Sequence, residues 1–251
     1  MKLHKVSSLE PSRISQIRSM VKICTEHDKT SVSFPFDEAE LFLFIEHGSA
    51  VISAIAFVPV EKQLYECSAF THPDFRGQGF FTDLLEAGIE ALPEDSELLF
   101  YTDRKDKNTA AVLDAIGAEL DSEEHMMKLL PEDFFATANS SDCFGTSNAH
   151  ANSIIDIHTE SLDIDGTPTI RFYSDHAVVN FSVFPSHYYL YGFEVDENCR
   201  GMGYGTRFLS TVLACFRHPV LLQVAGDNAP ALALYKKTGF RITETLCCYL
   251  Y

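Results

Sequence analysis

The sequence predicts an α/β protein of the mixed α+β type, with two similar domains in tandem. First, one order of segments occurs twice: a strand hairpin, a strand, a glycine-rich loop, a helix, a strand, a helix and a last strand. Second, each loop begins with an arginine, and these residues, Arg76 and Arg200, lie about 124 positions apart. Third, segment 131–148 is rich in Ser, Asn, Asp and Thr, which is typical of a connector. We therefore expect domains at 1–133 and 134–251.

The first copy opens with apolar residues at helical spacing over residues 13–25. Residues 41–60 form the longest apolar stretch, and the Glu-His-Gly sequence at 46–48 interrupts it, which predicts a hairpin and disfavours a membrane helix. The later segments are predicted as a strand at 65–72, a loop at 73–81, a helix ending before Pro93, a strand at 97–104, a helix ending near Gly117 and a strand at 125–130.

The second copy repeats this order at the other end of the sequence. Its segments are a hairpin at 169–184, a strand at 187–196, a loop at 197–206, a helix at 207–216, a strand at 220–226, a helix at 228–240 and a strand at 242–251. Outside the loops the two copies share little sequence. The order of elements, rather than residue identity, indicates an internal duplication.

Composition limits the function. Hydrophobic residues make up 46% of the chain, which is enough for sizeable cores. The formal charge of −17 disfavours binding along nucleic acid, since phosphates would be repelled. It suits a cationic amine such as a polyamine or aminoglycoside, and the alternative is an acidic surface that only keeps the protein in solution. Seven cysteines without a C-x-x-C pair predict reduced thiols. With no leader sequence predicted at the N-terminus, we expect a cytoplasmic protein with no metal and no membrane partner.

The second glycine-rich loop, RGMGYG at 200–205, stands between a predicted strand and a predicted helix. Helix N-termini present unpaired N–H groups and the positive end of the helix dipole. Glycines at 201, 203 and 205 leave those amides open, and Arg200 adds positive charge, so the loop suits a diphosphate. A Walker loop is absent, and the dinucleotide pattern G-x-G-x-x-G fails because Thr206 occupies its last position.

These residues resemble the Q/R-x-x-G-x-G/A signature of the GNAT superfamily of acyl-CoA-dependent N-acetyltransferases. A second hallmark of that superfamily follows in the expected order: Asn228, Ala231 and the sequence LYKKTGF at 234–240. The resemblance covers the second half well and the first half in outline. It implies two tandem GNAT-like domains, each with a mixed, mostly antiparallel sheet flanked by helices.

The resemblance also implies a co-substrate, acetyl-CoA, and a set of residues that contact it. Backbone amides of the loop would bind the pyrophosphate of the coenzyme, and strand residues near Val195 would pair with its pantetheine arm. The expected binding residues are Phe193, Val195, Arg200, Gly201, Met202, Gly203, Tyr204, Gly205, Thr206, Asn228 and Tyr235.

The reaction implied is direct transfer of acetyl to a primary amine in the C-terminal domain, with a thiolate as the leaving group. The resemblance places Tyr235 as the general acid and Asn228 as a hydrogen-bonding residue near the sulfur. A phenol of pKa about 10 is a suitable donor to that thiolate. Glu194, beside Val195, is the candidate base. Each has an alternative: Tyr235 as a core aromatic, Asn228 as a helix cap and Glu194 as a solvated strand residue.

The first copy departs from the signature. Phe81 stands where Gly or Ala is expected, and the position that corresponds to the tyrosine holds Leu113. We therefore expect a first copy that has lost catalysis or binds the coenzyme weakly, and that shapes the substrate cleft or replaces a dimer partner. The expected oligomeric state is then a monomer, in which the two copies form a pseudo-dimer, or a homodimer. The alternatives are a non-catalytic acyl-CoA sensor or interaction protein, and an enzyme with a longer acyl donor or a hydroxyl acceptor.

Overall fold

The computed structural model describes residues 1–30, 32–133 and 155–251. The chain forms two compact units. The first consists of Met1–Glu123 together with Leu246–Tyr251, and the second of Glu124–Thr245. Each unit combines antiparallel strands with helices, so the mixed α/β fold predicted from the sequence is confirmed.

The first unit is built on a sheet in which strands β1 to β5 are neighbours in sequence order. All of these pairs are antiparallel except β4 with β5, which is parallel. The elements are β1 (Lys2–Val6), α1 (Pro11–Asp28), β2 (Leu41–His47), β3 (Ala50–Glu61), β4 (Leu64–Thr71), α2 (Phe80–Ile89), β5 (Glu97–Asp103), α3 (Lys107–Ile116) and the beginning of β6 (Glu119–Leu129).

The second unit repeats this plan. Strands β7 to β11 are neighbours in sequence order, with β10 and β11 as the parallel pair. The elements are the end of β6, β7 (His158–Ile164), β8 (Thr167–Tyr173), β9 (Ala177–Val183), β10 (Tyr188–Val195), α4 (Tyr204–Leu213), β11 (Val220–Ala225), α5 (Ala229–Lys237) and the beginning of β12 (Arg241–Leu250).

The two sequence copies exchange strand segments. In the first unit, β5 pairs antiparallel with residues 246–250 at the end of β12. In the second unit, β11 pairs antiparallel with residues 124–129 of β6. The boundary between residues 133 and 134 stays a prediction, and each compact unit takes its sixth strand from the other copy.

The β2–β3 hairpin is covered on both faces, which explains its long apolar run. One face, with Leu43 and Phe57, packs in a core with α2. The other face, with Phe44 and Ala56, packs in a core with α1. The sequence of a strand that is buried on both faces is continuously hydrophobic, whereas hydrophobic and polar residues alternate in a strand that is buried on one face. The predicted hairpin is confirmed, and none of the described helices is long and apolar enough to span a membrane.

The core of the second unit lies on the helix-bearing face of its sheet. Phe181, Phe208, Leu209 and Leu222 are fully buried there. Each such side chain contributes roughly 1.5–3 kcal/mol relative to an exposed one. Phe216, just beyond α4, adds ring contacts with Phe181 and with strands β8 and β10.

Some parts of the fold were not predicted from the sequence. The edge strands β1 and β7 have little apolar alternation because none of their residues is fully buried. The strand predicted at residues 125–130 is longer in the structure, where β6 begins at Glu119. Most of the predicted connector, and Cys143, lie outside the described residues.

We expect deletion of residues 246–251 to loosen the first unit. Tyr251 and Leu98 exchange two backbone hydrogen bonds of 2.9 Å, and loss of the segment leaves one edge of β5 unpaired. Hydrogen exchange followed by mass spectrometry should show reduced protection in β5 and unchanged protection in β9. Equal loss of protection in β9 would contradict the strand assignment.

Candidate active site

The RGMGYG loop adopts a fixed backbone path between β10 and α4. A 3-10 turn at Glu197–Cys199 precedes Arg200, and Gly201 and Gly203 then have φ values of 73° and 77°. A Cβ atom added at either glycine would meet nothing within 4 Å. The glycines are therefore required by the left-handed backbone, and the space beside them is open.

Arg200 anchors this loop. Its Nε donates a hydrogen bond of 2.8 Å to the carbonyl oxygen of Val195, and its Nη1 lies 3.9 Å from Glu197 Oε1. The guanidinium thus holds the loop against the end of β10 while remaining largely exposed. Met202, between the two left-handed glycines, is 66% exposed and packs on no core.

Gly205 has a different role from the first two glycines. It is buried in the first turn of α4, and an added Cβ would lie 3.1 Å from Val195 Cγ2, 3.2 Å from Leu234 Cδ1 and 3.4 Å from Phe193 Cζ. These approaches are tighter than ordinary van der Waals contact. The absence of a side chain lets α4 approach both β10 and α5, which brings the loop next to the later hallmark residues.

Strands β10 and β11 part next to this loop. They pair at two positions only, Tyr188 with Val220 and Tyr189 with Leu221. The remaining part of β10, residues 190–195, leads to the glycine loop without pairing to β11. Apart from the Val195 carbonyl, which accepts the bond from Arg200, the backbone N–H and C=O groups on that side are available to an extended ligand that carries amide groups.

A β-bulge in β10 lies at the same place and was not predicted. The register with β9 shifts between Tyr191 and Glu194, and Gly192 has a φ of 57°. An added Cβ there would lie 2.9 Å from Asn180 Nδ2. A glycine inside a strand sequence is a known signal for a bulge, so the sequence did carry this information.

Tyr235 lies on α5 with its ring inside the core of the second unit. It is 7% exposed, and its ring centroid is 6.5 Å from that of Phe193 and 5.7 Å from that of Phe240. Burial raises the pKa of Tyr235 to about 12. Among the described residues its hydroxyl has no hydrogen-bond partner. Phe193 contacts both this tyrosine and the Gly205 position, so the structure brings the loop and the phenol together.

Asn228 is the N-cap of α5. Its Oδ1 accepts a hydrogen bond of 3.2 Å from the backbone N–H of Ala231, and Pro230 occupies an early helical position. Asn228 therefore caps the helix, which was the alternative role expected for it. Its Nδ2 group forms no hydrogen bond with the described residues, which leaves it available to a ligand.

Glu194 is not brought together with Tyr235. Phe193 and Val195 pack on the core side of β10, and Glu194 lies between them with an exposed side chain, paired in register with Val178 of β9. Successive strand residues point to opposite faces, so this carboxylate projects away from the tyrosine.

Tyr204 and Thr206 begin α4 beside the loop. The hydroxyl of Tyr204 lies 3.0 Å from Ser174 Oγ, and its ring packs edge-on against His176. His176 Nδ1 is 3.0 Å from Asp196 Oδ2, which ties the β8–β9 turn to the end of β10. Thr206 is half-buried in the first helical turn.

The glycine loop of the first unit has the same backbone. Gly77 and Gly79 have φ values of 70° and 85°, and Arg76 Nε donates a bond of 3.0 Å to the carbonyl oxygen of Thr71. This arginine also makes a bidentate pair with Asp28 at the end of α1, with distances of 2.8 and 2.6 Å. The hydrogen bonds from Arg76 lower the pKa of Asp28.

The other hallmark positions of the first unit differ. Phe81, at the place of Gly205, packs in the core with its ring 6.5 Å from Phe100. Leu113, at the place of Tyr235, is 1% exposed. The N-cap of α3 is Asp106, which accepts bonds from the N–H groups of Asn108 and Thr109. Asp106 therefore occupies the place of Asn228.

Comparison with known proteins gives a family. The sequence profile of the Acetyltransferase (GNAT) family matches residues 13–113 and 165–240, which is more than half of the chain and includes both glycine loops. No curated protein sequence matches the chain.

Solved structures with the same fold include tandem proteins. A GCN5-related N-acetyltransferase from Sphaerobacter thermophilus aligns at a TM-score of 0.63 and 11% identity, over 99% of this chain and 95% of the other. A tandem GNAT protein from the clavulanic acid biosynthesis pathway aligns at 0.62 and 14%, over 100% and 98%. A GNAT-family acetyltransferase from Colwellia psychrerythraea aligns at 0.57 and 11%, over 100% of both. At such identities the likeness concerns the fold.

We expect the raised pKa of Tyr235 to lower the free energy of unfolding at alkaline pH. The phenol ionises near pH 10 in the unfolded chain and near 12 in the folded one, so its contribution to stability is complete below pH 10 and is lost as the pH rises to 12. The loss is roughly 2–3 kcal/mol, from about 1.36 kcal/mol per pKa unit. Denaturant unfolding of wild type and Tyr235→Phe at several pH values should show a steeper alkaline decline for wild type. Parallel declines would contradict the assigned burial.

Proposed function

The chain belongs to the GNAT acetyltransferase family, and we propose that its second unit transfers acetyl from acetyl-CoA directly to a primary amine of a small molecule or peptide. The observation that carries this proposal is the opening between β10 and β11, which has the left-handed glycine loop at one end and Tyr235 beside it. Family membership supports an acyl-CoA co-substrate. The acetyl donor, the amine acceptor and the choice of unit are proposals.

The residues of the second unit fit a coenzyme A molecule. The space beside Gly201 and Gly203 is open, and the loop leads directly into the N-terminus of α4, which suits a pyrophosphate. The unpaired edge of β10 suits the two amides of a pantetheine arm. When bound, acetyl-CoA supplies a thioester whose carbonyl carbon is open to attack by an amine.

Tyr235 is the proposed general acid. With a pKa of about 12, its hydroxyl stays protonated at every pH at which the protein would work. It can donate a hydrogen bond to the sulfur as the carbon–sulfur bond breaks. Because an ordinary thiol has a pKa of about 8.5, full proton transfer from the phenol is unfavourable unless the proton released by the amine reaches the phenolate in the same step.

The attacking amine must also lose a proton. Glu194 remains the candidate base, but its position on the other face of β10 restricts it to a relay through water. A cationic acceptor, a cytoplasmic location, and a monomer or homodimer without nucleic acid or membrane partners complete the proposal. The net charge of −17 supports the cationic acceptor.

A second candidate function is a non-catalytic acyl-CoA sensor. It is favoured by the packing of Tyr235, whose ring lies between Phe193 and Phe240 like an ordinary core aromatic. In that case the coenzyme binds and no acetyl is transferred. The experiments below separate the two functions.

We expect Gly203→Asp to weaken coenzyme A binding at least tenfold, because a carboxylate would lie at the proposed diphosphate seat. The matched variant Gly79→Asp, at the same position of the first loop, should leave the affinity within about twofold, a difference well below 1.4 kcal/mol. Calorimetry on the full chain is required, since residues 134–251 alone lack the segment of β6 that pairs with β11. The reverse pattern would assign the coenzyme to the first unit.

We expect Tyr235→Phe to lower the rate of acetyl transfer by about 10²-fold, the lower end for general acid catalysis. Coenzyme A affinity should stay within a factor of two, because the ring and its packing are kept. Thiol release with a panel of amines provides the measurement, and Tyr173→Phe, an exposed tyrosine on β8, is the control. A wild-type protein that binds the coenzyme and acetylates no amine would favour the sensor.

A further inference from the structure

We propose that His176 is a positioning residue for the glycine loop of the second unit, and that its charge sets the pH dependence of coenzyme A binding there. The inference rests on the proposed function, because it concerns the same diphosphate seat. His176 lies in the β8–β9 turn and contacts the residues at which segment 197–203 begins and ends. These are Asp196, just before the segment, and Tyr204, the first residue of α4.

Two contacts join His176 to Asp196. The backbone N–H of Asp196 donates a hydrogen bond of 2.9 Å to the carbonyl oxygen of His176, and the Asp196 carboxylate lies 3.0 Å from the imidazole Nδ1. Asp196 is the N-cap of the 3-10 turn at Glu197–Cys199, yet among the described residues its carboxylate caps no backbone N–H of that turn. The carboxylate is directed to the imidazole instead, so His176 fixes the start of the loop.

The same turn also holds the residue that follows the loop. The imidazole packs edge-on against the Tyr204 ring, with the centroids 5.7 Å apart. The Tyr204 hydroxyl lies 3.0 Å from Ser174 Oγ, and this oxygen accepts bonds from the N–H groups of His176 and Ala177, at 3.4 and 3.2 Å. Because both ends are fixed, the glycines between them lose conformational freedom before a ligand binds, which lowers the entropy cost of binding.

A backbone hydrogen bond identifies the residues of the first unit that correspond to this pair. The N–H of His72 donates to the carbonyl oxygen of Ile52 at 2.8 Å, as the N–H of Asp196 does to that of His176. His72 and Asp196 are both the N-cap of the 3-10 turn that precedes their glycine loop. Ile52 therefore stands at the place of His176, and His72 at the place of Asp196.

In the first unit the same turn is held by apolar packing. Ile52 is 2% exposed and belongs to one core with Phe80, the first residue of α2, which corresponds to Tyr204. An isoleucine at this place shows that the turn itself does not need a histidine. What the histidine adds in the second unit is a charge that changes with pH, next to the loop proposed to bind a diphosphate.

Protonation of His176 changes the charge beside the loop. With a neutral imidazole, the pair carries the full negative charge of the Asp196 carboxylate, and the sequence neighbours Asp175 and Glu197 add to it. Arg200 is the cation within the loop, and it faces Glu197. An imidazole gains its proton between about pH 8 and pH 5, and the imidazolium then offsets the carboxylate. Coenzyme A is an anion, so its affinity should rise as the pH falls through this range.

Calorimetry with coenzyme A on the full chain, at about pH 5.5 and pH 8, tests the charge. His176→Gln keeps an N–H donor for Asp196 and removes the titration, so its affinity at the higher pH should stay within about twofold of wild type. The gain in affinity on acidification should be at least about threefold larger for wild type than for this variant. Both proteins meet the same ligand, so the ionisation of the coenzyme phosphates cancels. His187→Gln, in the turn at the other end of the β9–β10 hairpin, should behave as wild type.

Hydrogen exchange of the ligand-free protein tests the positioning. His176→Ala removes both the donor and the ring that packs on Tyr204, and should reduce protection of residues 197–206 while β11 and the first loop at 73–81 keep theirs. His176→Gln should retain more of this protection than His176→Ala, because it keeps the contact with Asp196. Thermal unfolding of each variant checks the fold.

Two results would each overturn the inference. One is equal pH dependence of coenzyme A affinity in wild type and His176→Gln, and the other is equal protection of residues 197–206 in wild type and His176→Ala. A wild-type protein that binds no coenzyme A at either pH would contradict the proposed function and the pH dependence together. The exchange measurement needs no ligand, so it would still decide whether His176 holds the loop.

Discussion

The second unit depends on one constraint: backbone N–H and C=O groups need partners, and β10 cannot give all of its groups to β11. The strands part after Tyr189 and Leu221, and the same parting occurs between β4 and β5. In the second unit the glycine loop lies at the end of β10, beyond the point where β10 and β11 part. Gly205 lets α4 pack closely against β10, where Phe193 contacts Tyr235. The packing that stabilises the unit therefore also positions the phenol.

Much of the fold could be predicted from the sequence because its signals are local. The β2–β3 hairpin and the helices after both loops are marked by apolar runs and glycines within a few residues. The exchange of segments between β6 and β12 has no such signal. Strand pairing is a long-range property, and a strand that ends a repeat looks the same whether it closes its own unit or the other.

Part of the candidate site could be proposed from the sequence for the same reason. The loop at 200–205 and Tyr235 are predicted from short motifs, and Phe193 contacts both the Gly205 position and the Tyr235 ring. Whether they act as proposed remains a prediction. The bidentate pair of Arg76 with Asp28 joins residues 48 positions apart, and no pattern in the sequence points to it. The position of Glu194 follows from strand alternation, which puts it on the face opposite Phe193 and Val195, so its exposure could have been predicted from the sequence.

The strand exchange has a consequence for biosynthesis. A domain at the beginning of a chain usually folds while the ribosome is still adding later residues. Here the sheet of the first unit lacks the neighbour of β5 until residues 246–251 have emerged. The nascent first half must wait, with one edge of β5 open, through translation of the entire second half. Its edge is therefore exposed to chaperones, or to a neighbouring nascent chain on the same polysome, for longer than in a domain that closes on its own residues.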